Sequence, residues 1–459
     1  MTTTSDIPIS HLRAEVSGEV IAADDSRYED ARRVFFTGYD RRPAAIVRAA
    51  DTQDVSRVVT LARETGARLA VRSGGHGLAG FGTTDGGIVL DLAEMNAVEV
   101  DPEGRTAWAQ AGATTGAYTR TAGEHGLATG FGDSPTVGVG GITLSGGFGF
   151  LLRKHGLTID DLLAAEVVTA DGEILEVDAA SHPELFWALR GGGGNFGVVT
   201  RLRFRLHEVD EVVGGLLVLP ADAALLAELV FVLEAAPEEL SAIVNVLKAP
   251  PLPFVPPEHH GKPVAMISLV HAGDAESGER ALGPVRGLAT PLADLVRPLR
   301  YPEMYAGPEA PRPALVQGTN LLLDSLPAGA ADAILEHVGT ASAPVAAVQL
   351  RVLGGAMART ADDATAFGYR GAGLMANVTA LYGQPEDGAA QRAWVDGVAG
   401  ALAGGAATPA YVGFLGDEGE DGLRRAYPPR TLERLARVKR RYDPDNLFRL
   451  NLNVPPGAR

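Results

Sequence analysis

The sequence predicts an α+β fold built in two textures, and three observations carry that expectation. Glycines cluster at 74–87, 130–149 and 191–197, between short strand-like runs. From about residue 208 these clusters thin out, and longer helical and strand patterns replace them. A basic amphipathic stretch and an Asp-Pro turn then close the chain. At 459 residues the chain is long enough for two or three domains around a large core.

Taken in order, Ala44-Ala45-Ile46-Val47 reads as a first strand. Asp51 or Thr52 caps a helix running to about Thr65, and Gly66 stands where that helix should stop. Ala67–Val71 is a second strand, and it opens directly into Arg72-Ser73-Gly74-Gly75-His76-Gly77. A strand–helix–strand unit ending in Ser-Gly-Gly points backbone N–H groups at one place, which suits a phosphate or pyrophosphate. His76 at the tip is placed to touch such a ligand; a tight turn with a solvated histidine has the same local sequence. Further strands are expected at Gly87–Leu90, Ala107–Ala109, Ala165–Thr169 and Val198–Phe204, with short helices at Thr114–Glu124 and Pro183–Leu189. Beyond residue 208, Ala221–Ala235 and Ala328–Thr340 look helical. Val264–Val270 and Ala346–Val352 look like strands, the second alternating apolar and polar residues. Residues 249–257 form a stiff proline-rich loop, Leu423–Arg441 a basic amphipathic helix, and Tyr442–Phe448 a capped turn.

Composition narrows the function. A net charge of −17 repels phosphate backbones, so nucleic acid and anionic membrane are excluded as partners. Met1–Asp6 lacks the basic start of a secretory signal and no apolar run reaches membrane-spanning length, which predicts a cytoplasmic protein. There is no cysteine, so disulfides, thiolate nucleophiles and metal–sulfur centres are excluded, and redox chemistry falls to a bound organic cofactor. The ten histidines are scattered, and no metal site is expected.

The glycine motifs are not equivalent. Gly192-Gly193-Gly194-Asn195-Phe196-Gly197 has the spacing of a dinucleotide fingerprint, but a helix precedes it and a strand follows, the reverse of what that motif requires. Gly132–Gly149 carries few charges over eighteen residues and reads as backbone packed against something large and flat. Neither Ser134 nor Ser145 has the flanking glycines of a nucleophile elbow, which argues against a serine hydrolase.

Four segments together resemble the berberine-bridge-enzyme-like flavoproteins of the vanillyl-alcohol-oxidase/PCMH superfamily. They are Arg72–His76, Gly132–Gly149, Leu185–Thr200 and Arg441–Arg449, in the family's order. The resemblance covers the first 207 residues and roughly the last fifty. It implies a PCMH-type FAD-binding domain of two α/β subdomains at 1–207, joined by a C-terminal segment, 406–459, that returns to it. The intervening 208–405 is then a substrate domain, an antiparallel sheet backed by helices. The family bonds its flavin through the histidine matched by His76. Many relatives add a second bond through a cysteine where this chain has Ser134, so a single link is expected. Val137 matches the residue beside the oxygen-reactive edge of the flavin, and its modest size favours an oxidase that releases hydrogen peroxide.

The resemblance assigns FAD to Arg72, Ser73, Gly74, Gly75, His76 and Gly77. It adds Ser134, Pro135, Val137, Gly138, Gly140, Gly141, Thr143 and Leu144, then Gly197 and Val199, and Asn451 and Asn453 in the tail. The Ser73–His76 amides would hold the pyrophosphate. Hydride removal needs a proton acceptor facing the ring. Tyr411 is the preferred candidate, with Gln349 and Arg351 alternating on one strand toward the pocket. Relatives often carry Asn where this chain has Gly413. The implied partners are a small-molecule substrate and molecular oxygen. A flavin-dependent oxygenase or oxidative cyclase is the nearest alternative, and a flavin-free binding or hydrolytic protein is the alternative from another class.

Overall fold

The computed structural model describes residues 7–306 and 315–457. The Met1–Asp6 segment, on which the reading of the N-terminus rested, lies outside the described residues. No helix among the described residues is long and apolar enough to cross a membrane.

Three large sheets organise the described chain, beside a two-stranded pairing of Leu127–Ala128 with His207–Glu208. In the first, Ala45–Arg48, Ile88–Asp91 and Leu69–Arg72 run parallel, and Glu19–Ala22 adds an antiparallel edge. The helix Thr52–Thr65 covers it as expected: the Asp51 carboxylate accepts from the Asp54 N–H, and Gly66 ends the helix at φ +67°. Its Val55, Val58, Val59 and Ala62 are buried, the 3.6-residue face of an amphipathic helix. The edge strand and the helix Ile9–Glu15 before it have no counterpart in the sequence reading.

The second sheet is antiparallel throughout, ordered Val98–Asp101, Thr106–Gln110, Val198–Arg205, Leu162–Val168, Ile174–Asp178. Helices Thr115–Gly123 and Pro183–Leu189 bury Tyr118, Leu185 and Phe186 into its core.

The third sheet is the largest. Its order is Ala293–Asp294, Glu211–Pro220, Pro263–His271, Leu240–Lys248, Val345–Val352, Leu374–Tyr382, Leu315–Leu323, all antiparallel, and Arg297–Arg300 also pairs with Glu211–Pro220. Successive side chains point to opposite faces. One face, including Val244, Ile267, Leu350 and Val378, packs under the helices Ala223–Ala235, Ala275–Arg286, Ala330–Thr340 and Gly388–Ala403. The other face turns toward the first two sheets. There Ile243 meets Phe150 and Leu151, while Leu322 and Met375 meet Phe148, Leu152 and Tyr411.

The C-terminal segment differs from expectation in one respect. The stretch read as one helix from Leu423 to Arg441 is two, Gly419–Ala426 and Pro429–Tyr442. Pro428 and Pro429 break it, because proline lacks the N–H and forces the residue before it out of helical geometry. The turn then folds back onto the glycine loop. The buried Lys439 ammonium donates to Asn195 O (2.8 Å), Phe448 O (2.9 Å) and Asp443 Oδ2 (2.6 Å).

Candidate active site

The Ser73–Gly77 loop leaves the C-terminal end of Leu69–Arg72, where a parallel sheet delivers its loops to a ligand. Arg72 anchors it from behind. Its guanidinium donates to Asp91 Oδ2 (2.8 Å), Ala31 O (2.7 Å) and Arg33 O (3.1 Å), so the charge is committed to the protein rather than to a ligand. Ser73 Oγ donates to Ala111 O at 2.5 Å. The backbone N–H groups of Ser73, Gly74 and Gly75 have no partner among the described residues. The His76 ring stacks on Phe35 with centroids 3.9 Å apart, and its Nε2 lies 3.1 Å from Thr136 Oγ1.

The Gly132–Gly149 stretch is not a bare glycine loop; Val139–Ser145 is helical. Much of its close packing is against this chain's own backbone. A Cβ at Gly74 would stand 2.3 Å from the Gly138 nitrogen, and one at Gly138 2.0 Å from Ser73 Oγ. Only backbones without side chains approach this closely, so these two glycines join the loops to each other. Gly141, by contrast, faces open space.

A cavity of about 480 Å³ opens between this pair of loops and the bare face of the third sheet. Ser73 to Gly77, Ser134, Val137, Gly138 and Gly141 line one side; Asn377 and Thr379 line the sheet side. Phe35, Phe148, Tyr411 and Phe414 supply aromatic walls. A second hollow of about 210 Å³ shares Val71, Ser73, Gly141 and Ser145 with it and runs on to Gly140, Leu144, Gly197, Val199 and Asn451. The two form one elongated trough. Two buried amide oxygens without partners, Asn377 Oδ1 and Asn451 Oδ1, belong to residues on its walls.

Several expected residues stand elsewhere. Thr143 is fully buried and its hydroxyl turns back to Val139 O (2.7 Å). Pro135 packs against Gly116, to whose N–H its carbonyl accepts (3.0 Å). Neither lines the trough: Thr143 faces inward from its own helix, and Pro135 is turned onto the helix that begins at Thr115. Asn453 lies outside it too, with a buried, unpartnered Oδ1. Gln349 and Arg351 do face the correct side of the sheet, but they stand behind the cavity wall. Arg351 donates to Asp133 Oδ2 (2.9 Å), Gln349 Oε1 (2.8 Å) and Phe148 O (3.3 Å), which leaves its charge paired.

Tyr411 reaches the cavity, in a state opposed to the proton-accepting role expected of it. Burial pushes its phenol up to about 12, and the Gly147 N–H donates to its oxygen (3.2 Å). The phenol therefore stays protonated at neutral pH and points its own hydrogen elsewhere. Asn320 clamps its backbone from the sheet, accepting from Tyr411 N (2.7 Å) and donating to Tyr411 O (3.0 Å).

Sequence reading missed Asp133, Asn320 and Asn377. The first had a signal: Asp133 is the single charged residue in Gly132–Gly149. The others had none: Asn320 meets Tyr411 across 91 residues of sequence, and Asn377 is placed at the cavity by the sheet alone.

Residues 43–178 match the FAD binding domain family, and residues 410–455 match the berberine and berberine-like family. Over 454 residues the chain is 33% identical to (R)-6-hydroxynicotine oxidase of Paenarthrobacter nicotinovorans, covering 96% of this chain and 97% of that protein. The crystal structure of 6-hydroxy-D-nicotine oxidase from Arthrobacter nicotinovorans is similar with a TM-score of 0.84 at 29% identity, covering 96% of this chain and 98% of that one. Xylooligosaccharide oxidase from Myceliophthora thermophila gives 0.86 at 25% identity, covering 98% and 100%.

Proposed function

The chain belongs to the berberine-bridge-enzyme-like FAD-linked oxidoreductases of the PCMH superfamily, and from that premise we propose an oxidase that takes hydride from a small alcohol, amine or activated C–H compound. FAD, when bound, supplies the hydride acceptor, and its reoxidation by dioxygen yields hydrogen peroxide. The observation that carries the reading is the trough itself, lined by the Ser73–Gly75 loop, whose three amides have no partner among the described residues, and by an aromatic chamber.

The residues present fit the cofactor. The Ser73, Gly74 and Gly75 amides form a cradle of the kind that binds a pyrophosphate. Gly141, Gly197, Val199 and Asn451 line the narrower hollow, where the orphaned Asn451 Oδ1 awaits a donor. His76 would carry the single covalent bond. Phe35 stacks on its ring and the Thr136 hydroxyl bonds its Nε2, which hold the ring in place. Ser134, on the chamber wall, has a hydroxyl that cannot form a thioether. Tyr411 orients substrate as a hydrogen-bond donor, and Val137 leaves room at the wall for dioxygen.

The test is the absorbance of the purified protein before and after acid precipitation. Yellow colour that stays in the pellet, on a peptide containing His76, is the expected result. His76→Ala should still fold and bind FAD but release it on denaturation. Flavin that remains attached in that variant would place the bond elsewhere, and a colourless wild-type protein would remove FAD from the account.

A further inference from the structure

We propose that Asp133 determines specificity at this site: its carboxylate selects substrates whose polar head donates a hydrogen bond, a hydroxyl or an amine, and turns away carboxylates. The inference rests on the substrate chamber described above and adds the charge logic of its wall.

Among the described residues, Asp133 is the only carboxylate lining the 480 Å³ cavity. Its side chain is 33% exposed, whereas that of Arg351 behind it is 6% exposed. Arg351 holds one oxygen, Oδ2, at 2.9 Å; the other, Oδ1, has no hydrogen-bond partner among the described residues. The holding group is itself fixed. Gln349 Oε1 takes the Arg351 Nε–H, Asn245 Oδ1 takes the Gln349 amide (3.0 Å), and the guanidinium lies 5.4 Å from the Phe414 ring centroid. Asn245, Gln349 and Asn377 stand opposite one another in register across three strands. The amide row on the sheet thus fixes Arg351, which holds the Asp133 carboxylate at the wall of the aromatic chamber.

The consequence follows from charge. A donor head satisfies Oδ1, and bonds to a charged acceptor are the stronger kind. A carboxylate head would meet Asp133 as a like charge, with the compensating guanidinium screened behind it. Removing Asp133 uncovers Arg351 and should reverse the preference.

Calorimetric titration of the purified protein with benzyl alcohol and with benzoate reads this directly, because the two probes share a ring and differ in the head. Wild type should bind benzyl alcohol at least about tenfold more tightly than benzoate. Asp133→Ala should weaken benzyl alcohol about tenfold and tighten benzoate by as much; Asp133→Asn, which keeps the shape, should lose the discrimination. A wild type with no preference for the alcohol overturns the proposal. So do variants in which both probes change in parallel, as a merely structural Asp133 would produce. The flavin absorbance of the same samples is scored separately, so a colourless protein that keeps the selectivity sinks the oxidase reading and leaves Asp133 standing.

Discussion

Gly413 is the residue at which a departure from relatives acquires a physical cause. A Cβ there would lie 2.6 Å from Cε1 of Tyr411 and 2.7 Å from both its Cζ and its phenolic oxygen. The missing side chain is what allows the ring to lie flat over its own turn and reach the Gly147 N–H. Gly413→Ala should therefore cost about 1–3 kcal/mol by overpacking. Urea denaturation measures it, and a variant as stable as wild type would show that the ring has somewhere else to go. The residue scale is also where sequence reading was weakest. Tyr411 was legible as a cavity residue from its place before the C-terminal helices. Its protonation was not, because that depends on burial among Phe148, Phe367 and Phe414, which lie far apart in sequence.

Elements met expectation where local chemistry decides them. Asp51 caps its helix through a side-chain oxygen and Gly66 ends it in a left-handed conformation, as read; Thr114 and Asp222 cap two further expected helices, whereas the helices capped by Asp274 and ended by Gly404 were not foreseen. The junction between the second and third sheets holds a less visible feature. The short helix Leu152–His155 stacks its His155 ring on His207, with centroids 3.8 Å apart. His207 Nε2 in turn lies 2.7 Å from the buried Asp161 carboxylate. Burial first, then the charges of His207 and Lys154, hold His155 down at about 3, far below an ordinary histidine. The unfolded chain consequently binds the proton more readily than the folded one between those values. Stability from this site is fully present above about pH 6.5 and is lost as the pH falls toward 3. His155→Phe should flatten that part of the stability–pH curve, read from denaturation midpoints between pH 4 and 7. An unchanged slope would place the acid sensitivity in another group.

At the scale of the whole molecule, the two textures read from sequence correspond to three sheets that share one site, and a few long-range clips hold them in place. Arg153 is the clearest. From the glycine-rich half it donates to Leu233 O, Ala236 O and Leu240 O at 3.0, 2.9 and 2.9 Å, capping the end of the helix Ala223–Ala235 that backs the third sheet. Arg153→Met should remove about 2–4 kcal/mol, since it strands buried carbonyls that the cation satisfied. It should also separate the loss of flavin environment from the loss of helical circular dichroism during unfolding; coincident transitions at an unshifted midpoint would show that the clip is dispensable. The sequence by itself determined the strand–helix–strand unit, the position of the Ser73–His76 loop and the glycine segments. Those features depend on capping, turn chemistry and periodicities that act over a few residues. Only the tertiary structure decided that Arg351 belongs to Asp133, that Asn320 holds Tyr411, and that Thr143 and Pro135 turn away from the trough. The first two are meetings between a loop and a face of the third sheet, and no local pattern records which face will be opposite.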